Sequence, residues 1–343
     1  MLAYADSAPK RAFHIKLPEE IEKGLLPIYN CLSRSRSPMR TLIVNSGSHE
    51  YPEDTNVLTV GKRFFYLQAK YSLGYIYEAD ITNETFMDLK KKGVDLFTFA
   101  ERSFLRSGQN RAFPCENDSI SLLEINSFED WWRFQIKKDV RNRIRNAERK
   151  GIVINLAEID ENFVIGAQRI YNETPIRQGR RYAGYGLNLA TLRAKFSNLS
   201  KSEVLGAYYD GGLVGLLWMV YGDRVVEIRS FVSLIKHRNK SPNNALMAEG
   251  LKRCSKKGFR FIVYGKMGYL PSLDSFKMDN GFRECVIPRY YVPLSKKGML
   301  AIKLRVHKEL QYSLSPRISR ALLPLYSLAS KAFPPNIWQR LSD

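Results

Sequence analysis

A short stretch near the middle of the chain combines cationic and aromatic side chains with glycines. Residues 170–186 read IYNETPIRQGRRYAGYG and contain Arg177, Arg180, Arg181 and Tyr182. Pro175 disfavours helical dihedral angles at the residue before it, and three glycines keep the backbone irregular, so a loop is predicted. Guanidinium groups make paired hydrogen bonds to phosphates and carboxylates, and aromatic rings stack on flat groups. We therefore expect these four side chains to bind an anionic substrate, with a solvated surface loop as the alternative.

A second concentration of cations precedes a segment with a helical pattern. Residues 237–244 read HRNKSPNN, and Ser241 and Pro242 fit the N-cap and first position of a helix that continues to Gly258. A helix N-terminus presents free N–H groups and the positive end of the helix dipole, so it attracts anions. The anion-binding side chains predicted here are His237, Arg238, Lys240, Ser241, Asn243 and Asn244. An ordinary capped helix with solvated cations is the alternative that the pattern leaves open.

An arginine-rich helix is predicted between residues 128 and 150. It follows a capping-box pattern at Ser127 and ends before Gly151. Its apolar face repeats at spacings of three and four and consists of Trp132, Ile136, Val140, Ile144 and Ala147. A stripe about 100° around the helix from that face is formed by Arg141, Arg145 and Arg149. Two interpretations of the stripe stay open, an anion-facing edge and a solvated helix face.

Strands and helices alternate in the rest of the chain. Residues 41–119 contain apolar, β-branched segments that predict strands, with one helix between about residues 82 and 93. From residue 203, the segments EVLGAYY, LVGLLWMVY and RVVEIRSFVS are separated by Gly- and Asp-containing turns, which predicts a three-stranded antiparallel meander. A helix, the strand FRFIVYG, a short helix near Pro271 and the strand CVIPRYYVPL follow.

Composition and charge narrow the class of protein. Hydrophobic residues make up 44% of the 343, which is typical of folded chains and argues against disorder. Lys and Arg outnumber Asp and Glu by 54 to 34, so we expect phosphates, RNA or anionic lipid head groups as partners. The four cysteines, Cys31, Cys115, Cys254 and Cys285, form no zinc-binding or disulfide pattern, so no metal is expected. The sequence shows no secretory signal and no apolar run of about 18 residues, so a cytoplasmic protein is predicted.

The order of elements after residue 120 resembles a known superfamily. It consists of three strands followed by a helix, a strand, a helix and a strand, which is the pattern of the catalytic half of GNAT acyltransferases. Three stretches resemble the Fem-like branch, which contains the peptidoglycan-bridge aminoacyltransferases. They are VRNRIRNAERKGI, IYNETPIRQGRRY and FKMDNGF (residues 276–282). The resemblance covers roughly residues 120–294 and implies an α/β (α+β) fold, with a GNAT-like mixed, mainly antiparallel sheet flanked by helices.

The same resemblance implies a division of the chain. Residues 1–119 are expected to form an N-terminal α/β region, with residues 41–119 as a degenerate GNAT-like half, because Fem-like proteins often pair two such halves. Residues 120–294 are expected to be the catalytic domain, and residues 295–343 a basic amphipathic helical tail.

Catalytic roles also follow from the resemblance. Lys277 is placed to stabilise the negative charge that builds on a carbonyl oxygen during acyl transfer, and Phe276 to contact the donor. Glu227, in the middle of a strand, is a candidate general base acting through water, and Arg229 lies two residues further on the same strand face. Tyr264 stands where the superfamily often places a tyrosine that protonates the leaving thiolate. A surface lysine at 277 and a structural Glu227–Arg229 bridge are the alternatives.

Two departures from the family pattern bear on the donor. GNAT enzymes that bind coenzyme A usually have glycines in the turn that corresponds to residues 237–244, and this turn has none. Fem-type enzymes follow Phe-Lys closely with Phe-Gly, whereas here Asn280-Gly281-Phe282 follows Phe276-Lys277. Either an acyl-coenzyme A or an aminoacyl-tRNA is therefore kept as the expected co-substrate, with tRNA as a partner in the second case.

The C-terminal stretch lies outside this order of elements. Two of its segments mix cations with apolar residues at helical spacing, KKGMLAIKLRVHKELQYSL and ISRALLPLYSLASKAF. Such helices bind anionic membrane surfaces, each cation near the surface contributing about 1 kcal/mol. Residues 296–343 are therefore expected either to dock peripherally at the inner face of the membrane or to pack on the protein.

Three functions are compatible with these patterns. The leading prediction is an acyl- or aminoacyltransferase that acts on an amine of a cell-envelope or glycan precursor, phosphorylated or carboxylated. The second is an acyl-coenzyme A-dependent N-acetyltransferase of a small amine. The third is a non-catalytic RNA- or polyanion-binding protein on a GNAT scaffold, although no aromatic–basic RNA-binding motif is present. No obligate protein partner is expected in any of them.

Overall fold

One mixed sheet of eleven strands runs through the described part of the chain. The computed structural model describes residues 40–43, 57–63, 65–71, 83–101, 104, 113–182, 184–197, 199, 201–222, 224–268 and 270–307. The strands are β1 Arg40–Ile43, β2 Val57–Arg63, β3 Tyr66–Tyr71, β4 Leu96–Ala100, β5 Cys115–Glu124, β6 Val153–Leu156, β7 Ile176–Arg177, β8 Arg180–Arg181, β9 Ser202–Tyr209, β10 Gly212–Tyr221, β11 Val225–Ser233, β12 Phe261–Lys266 and β13 Arg283–Pro293. The large sheet has the order β1-β2-β3-β4-β13-β5-β12-β11-β10-β9-β6, and β7 pairs with β8 separately.

The helices flank this sheet. The α-helices are α1 Asn83–Lys91, α2 Phe128–Asp130, α3 Lys138–Arg149, α4 Glu161–Tyr171, α5 Leu189–Phe196, α6 Pro242–Lys256, α7 Pro271–Asp279 and α8 Lys296–Lys303. A π-helix covers Trp131–Gln135 and a 3₁₀-helix covers Ile235–Lys240. All neighbouring strands of the large sheet are antiparallel except the pairs β3–β4 and β11–β12. The predicted GNAT-like mixed, mainly antiparallel sheet with flanking helices is confirmed.

The order of elements occurs twice along the chain. Strands β9, β10 and β11 form an antiparallel meander, and helix α6 leads into β12, which is parallel to β11. Strands β1, β2 and β3 likewise form a meander, and β4, which follows helix α1, is parallel to β3. That residues 41–119 form a degenerate GNAT-like half stays a prediction.

Strand β13 links the two repeats. It pairs with β4 on one side and with β5 on the other, and β5 continues the sheet to β12. The predicted boundary between residues 119 and 120 lies inside β5. How the chain divides into domains stays a prediction.

Helices cover both faces of the central strand β10. A side chain at Gly250 of α6 would collide with Leu217 on one face, while Phe196 of α5 packs against Trp218 on the other. This double covering explains why GLVGLLWMVY is apolar almost throughout rather than alternating. The two faces are called below the α6 face and the α5 face.

The predicted helix over residues 128–150 is interrupted. Ser127 accepts a hydrogen bond from the amide of Asp130, as the capping pattern predicts, but the chain then passes through the π-helix and leaves helical geometry at Ile136. Helix α3 starts afresh at Lys138. The guanidinium of Arg141 donates from Nη1 to the carbonyl oxygens of Trp132, Arg133 and Ile136, at 2.9, 3.4 and 2.8 Å. This arginine of the predicted stripe therefore satisfies carbonyl groups at the end of the π-helix.

The C-terminal segment is described only in part. Helix α8 begins after Ser295, whose hydroxyl accepts a hydrogen bond from the amide of Gly298. Ala301 is buried in a small cluster with Tyr66, Leu96 and Tyr291, so α8 packs on the sheet. The rest of the predicted tail, residues 308–343, lies outside the described residues. Within the described ranges, no helix combines the length and the apolar character needed to cross a bilayer.

Candidate functional site

Strands β11 and β12 separate partway along their length. They pair in parallel over Val225–Glu227 and Phe261–Val263, and β11 then continues to Ser233 without further pairing to β12. We call the region beyond the Glu227–Val263 pair the strand fork. Its rings pack across the gap: Phe231 of β11 lies 5.6 Å from Tyr264 of β12 and 5.8 Å from Phe276 of α7, between ring centroids.

Lys277 lies at this fork on the β12 side. It belongs to the last turn of α7 and is only 1% exposed. Its Nζ donates to the carbonyl oxygen of Lys266 at 2.5 Å, lies 3.9 Å from Oδ1 of Asp274, and is 4.9 Å from the centre of the Tyr264 ring. Burial lowers the pKa of the Lys277 ammonium to about 8, and Asp274 opposes that effect. The side chain is therefore not the surface lysine that was the alternative interpretation.

The local sequence explains how α7 holds Lys277. Pro271 occupies the first turn, and the Asp274 carboxylate accepts a hydrogen bond from the amide of Leu270, which fixes the helix start. Asn280 ends the helix, and its carbonyl accepts a hydrogen bond from the indole of Trp131 at 2.9 Å. Because Lys277 is one turn after Asp274, both side chains face the protein interior.

Tyr264 is the other titratable side chain on the β12 side of the fork. Its ring contacts Phe231 and lies 6.1 Å from Phe282, and burial raises the pKa of its phenol well above the ordinary value. The hydroxyl is therefore protonated throughout the physiological pH range. A protonated phenol is what a proton donor to a leaving group requires.

A β-bulge in β11 positions Arg229. Met219 pairs with Ile228 and Trp218 with Ser230, so Arg229 is the extra residue. The guanidinium carbon of Arg229 lies 4.8 Å from the centre of the Trp218 ring, on the α5 face.

Glu227 lies on the same face of the sheet. It pairs with Val220, which is two residues from Trp218 on β10, so the alternation predicts the shared face of Glu227 and Arg229 correctly. Glu227 is buried, whereas Arg229 is exposed.

The predicted arginine loop contains a small hairpin. Arg177 and Arg180 pair across a turn at Gln178 and Gly179, whose φ angles of 53° and 71° are those of a two-residue turn with positive φ at both positions. The guanidinium of Arg177 donates to the carbonyl oxygens of Ser233 and Ile170 at 2.9 and 2.8 Å. The structure thus ties the hairpin to the end of β11 rather than leaving an irregular loop.

Glu173 strengthens this connection. Its carboxylate lies 3.0 Å from Nη2 of Arg177 and accepts hydrogen bonds from the amides of Ile235 and Lys236. Two nitrogens of Arg177 are therefore bound by the protein itself, which makes this arginine an anchor of the hairpin. The roles predicted for Arg180 and Arg181 in binding stay predictions.

Tyr182 connects the hairpin with the fork. Its ring stacks on Tyr171 with centroids 6.2 Å apart and planes 10° apart, and Arg177 lies 4.9 Å from its centre. Burial, and then the neighbouring Tyr171, raise the pKa of Tyr182, with Tyr264 acting in the same direction at smaller strength. Tyr182 therefore lies within electrostatic range of Tyr264.

The predicted donor segment lies at the end of β11. His237 and Lys240 flank Tyr209, with 5.4 Å between ring centroids for His237 and 4.4 Å from the ring centre to Nζ for Lys240. Burial and the nearby Lys240 lower the pKa of His237. Arg238 is exposed. From α3, Lys150 donates to the carbonyl of Asn239 at 2.7 Å, so the arginine-rich helix ends beside this segment.

The start of α6 carries polar groups that lack partners. Ser241 is the N-cap residue, as predicted, but it adopts a left-handed conformation with φ 55° and its side chain makes no capping bond. Nδ1 of His237, Oδ1 of Asn243 and Nδ2 of Asn244 are buried and have no hydrogen-bond partner in the described part of the chain. Each such atom costs about 1–3 kcal/mol, so this arrangement suits a polar ligand with both donors and acceptors.

The structure thus gathers most predicted site residues around the end of β11. The fork carries Glu227, Arg229, Tyr264, Phe276 and Lys277, the hairpin anchored to Ser233 carries Arg177 and Tyr182, and the start of α6 carries the donor set. Sequence reasoning missed Glu173, Asp274, Tyr171 and Trp218. The contacts of Glu173 with Ile235 and of Trp218 with Arg229 join distant segments, whereas Asp274 contacts Leu270 and Lys277 close by in the chain. Tyr171 and Glu173 had a signal, since both lie inside the quoted stretch of residues 170–186.

Two further features lie apart from this arrangement. A groove of about 490 Å³ is lined by residues of β5, β13 and the π-helix, including Glu124, Gln135, Arg260 and Cys285, and by none of the predicted site residues. Among the described residues, no cluster of three or more His, Cys, Asp or Glu side chains is placed to hold a metal ion.

Comparisons with known proteins extend the argument about the fold. No family model matches the chain, and no curated protein matches its sequence. The C-terminal domain of a protein described as a lysylphosphatidylglycerol synthetase, from Agrobacterium fabrum, is 12% identical with a TM-score of 0.51 and covers 78% of this chain and 88% of its own.

Two further solved structures are similar. L-PGS from Bacillus licheniformis is 11% identical over 74% of this chain and 86% of its own, with a TM-score of 0.48. FemX is 10% identical over 73% and 87%, with a TM-score of 0.46. The likeness to the Agrobacterium fabrum domain is one of fold.

Proposed function

We propose that this protein is an N-acyltransferase that moves an acyl or aminoacyl group from an activated donor to an amine at the strand fork. The observation that carries the proposal is Lys277, an ammonium group buried at the fork with one hydrogen bond to the Lys266 carbonyl among the described residues. Asp274 and the Tyr264 ring also lie near its Nζ, and a substrate carbonyl oxygen is proposed as a further acceptor for this ammonium group. A fixed donor aimed at the oxygen where negative charge develops lowers the barrier by about 3–4 kcal/mol.

The donor is proposed to bind from the α6 end of the fork. Nδ2 of Asn244 and the helix N-terminus can donate to its phosphate groups, Oδ1 of Asn243 can accept from a donor group elsewhere on the ligand, and Lys240 adds positive charge. The acyl carbonyl is then proposed to reach Lys277 at the fork, alongside the packed rings of Phe231 and Phe276. Either an acyl-coenzyme A or an aminoacyl-tRNA has the phosphates that this end of the site would hold.

The acceptor amine is proposed to approach from the α5 face. Glu227 lies on that face and would accept the proton lost by the amine, through water. The protonated phenol of Tyr264 would give a proton to the leaving group. Amine attack forms the new C–N bond, and collapse of the intermediate breaks the bond to the leaving group. An amine of a cell-envelope or glycan precursor is the proposed acceptor class.

A transfer assay tests the proposal. Native mass spectrometry of the purified protein would identify a co-purified thioester, tRNA or sugar-linked acceptor, and radiolabelled acetyl-coenzyme A and aminoacyl-tRNAs would then be offered with a panel of amines. Lys277→Met is expected to reduce kcat by about 100- to 1,000-fold. Lys252→Met, on the exposed side of α6, is the matched control and should leave kcat unchanged.

Two outcomes would contradict the proposal. One is transfer by the Lys277→Met protein within about threefold of the unsubstituted protein, well short of the loss expected for an oxyanion donor. The other is the absence of transfer from every donor together with tight RNA binding that Lys277→Met leaves unchanged, which would favour a polyanion-binding protein on the same scaffold.

A further inference from the structure

Two cations share one aromatic ring on the α5 face. Nζ of Lys195, on α5, lies 5.9 Å from the centre of the Trp218 ring and 5.4 Å from that of Tyr171. The guanidinium carbon of Arg229 lies 4.8 Å from the same Trp218 ring. The Trp218 side chain is 1% exposed, and its indole N–H is buried with no acceptor among the described residues.

Backbone geometry brings these groups together. Asn188 caps α5 by accepting a hydrogen bond from the amide of Thr191, which fixes the helix that carries Lys195. Arg229 is the extra residue of the β11 bulge, and bulges commonly redirect side chains beside functional sites. Next to it, the hydroxyls of Ser230 and Tyr171 lie 2.6 Å apart.

Neither cation forms an ion pair with a carboxylate in the described part of the chain. Burial lowers the pKa of Lys195, and the charge of Arg229 lowers it further. Lys195 is half-buried near the positive charge of the exposed Arg229, and an anion that contacts both would offset their repulsion.

We propose that Lys195, Arg229 and Trp218 form a binding site for a phosphoryl group of the acceptor. A phosphoryl dianion balances two positive charges, whereas a single carboxylate balances one. Guanidinium and ammonium groups both donate to phosphate oxygens, and the indole N–H of Trp218 is a third donor in the same cluster of side chains.

The position of this site fits the proposed chemistry. Arg229 and Ser230 precede Phe231, which lines the fork, and Tyr171 stacks on Tyr182, which lies within electrostatic range of Tyr264. A phosphorylated acceptor held on Trp218 would thus reach the fork along one side of β11. This inference rests on the proposed function for the identity of the ligand as acceptor, but phosphate binding itself can be measured without any transfer.

Direct titration tests the site. Protein labelled with ¹⁵N-tryptophan gives four indole signals, and Trp218→Phe assigns the one of interest. Inorganic phosphate at pH 8 and constant ionic strength is expected to shift that signal in a saturable way. Lys195→Met and Arg229→Met should each weaken phosphate binding about tenfold or more, corresponding to about 1.4 kcal/mol. Lys252→Met and Arg224→Met, both at exposed positions, are the matched controls and should bind as the unsubstituted protein does.

Several results would overturn the inference. They are no shift of the Trp218 signal, equal binding by acetate, or unchanged binding in Lys195→Met and Arg229→Met. If a Met variant loses its cooperative thermal transition, Lys195→Arg and Arg229→Lys keep the charge and should retain phosphate binding. If transfer assays fail but the Lys277→Met protein still binds phosphate, only the proposed function is contradicted. Transfer that needs Lys277 without phosphate binding at Trp218 would remove only this inference.

Discussion

Replacing Lys277 by methionine should stabilise the protein near neutral pH. The folded state lowers the pKa of Lys277 from 10.5 to about 8, mainly because the side chain is buried. At about 1.4 kcal/mol per pH unit, that difference means that burying the charged amine costs about 3 kcal/mol. Methionine removes this cost but leaves the Lys266 carbonyl without its hydrogen bond, a loss of about 1–2 kcal/mol. We expect a net gain of about 1–2 kcal/mol at pH 7.

The sign of the effect should reverse at high pH. Below pH 8 the amine is charged in both the folded and the unfolded state, so the whole cost of burial is present. Between pH 8 and 10.5 the unfolded state binds more protons than the folded state, and the unsubstituted protein therefore gains stability as pH rises. Above that window the lysine is neutral in both states and the variant keeps only the lost hydrogen bond. We expect Lys277→Met to be about 1–2 kcal/mol less stable there.

Urea denaturation at pH 7, 8.5 and 10.5 measures this difference. Titration of other groups affects both proteins alike, so the free energy of unfolding of the variant minus that of the unsubstituted protein isolates residue 277. Lys252→Met serves as the control for loss of an exposed lysine and should change stability by less than about 0.5 kcal/mol at each pH. A difference that stays constant from pH 7 to pH 10.5 would refute the reasoning, because it would mean that Lys277 is not desolvated in the folded state.

Two further predictions concern positions away from the fork. Arg141→Met should lower the free energy of unfolding by about 2–3 kcal/mol, because the carbonyls at the end of the π-helix lose their donor. Replacement of the exposed Arg143 by Met is the control and should change it by less than about 0.5 kcal/mol. Chemical denaturation measures both. Burial raises the pKa of Glu203, but hydrogen bonds from Arg253 and other donors hold it at about 2. The contribution of this carboxylate to the free energy of unfolding is therefore present above pH 4.5 and is lost as pH falls through about 2. Glu203→Gln should therefore be about 2 kcal/mol less stable at pH 7 and lose that deficit between pH 4.5 and 2, and equal deficits at pH 7 and pH 3 would contradict this account.

The elements of the second repeat could be predicted from local patterns. Turn residues at Asp210 and Gly211, both with positive φ, separate two apolar runs, and caps at Asp160 and Asn188 accept the hydrogen bonds that start α4 and α5. These signals act over a few residues, so the sequence carries them directly. The interruption at Ile136 was not predicted, and the hydrogen bond from Trp131 in the π-helix to the carbonyl of Asn280, 149 residues away in the chain, has no local sequence signal.

The sequence alone determined the kinds of chemistry available: a basic chain with arginines in a predicted loop, a polar helix start and a lysine in a Phe-Lys motif. Only the tertiary structure decided which of these groups are held by internal hydrogen bonds and which lie next to one another. It committed Arg177 to internal hydrogen bonds, and it placed Lys195 and Arg229 on the same Trp218 ring although they lie 34 residues apart in the chain. The physical reason is that burial and charge pairing depend on distances between segments, whereas periodicity and turn chemistry depend on neighbours along the chain.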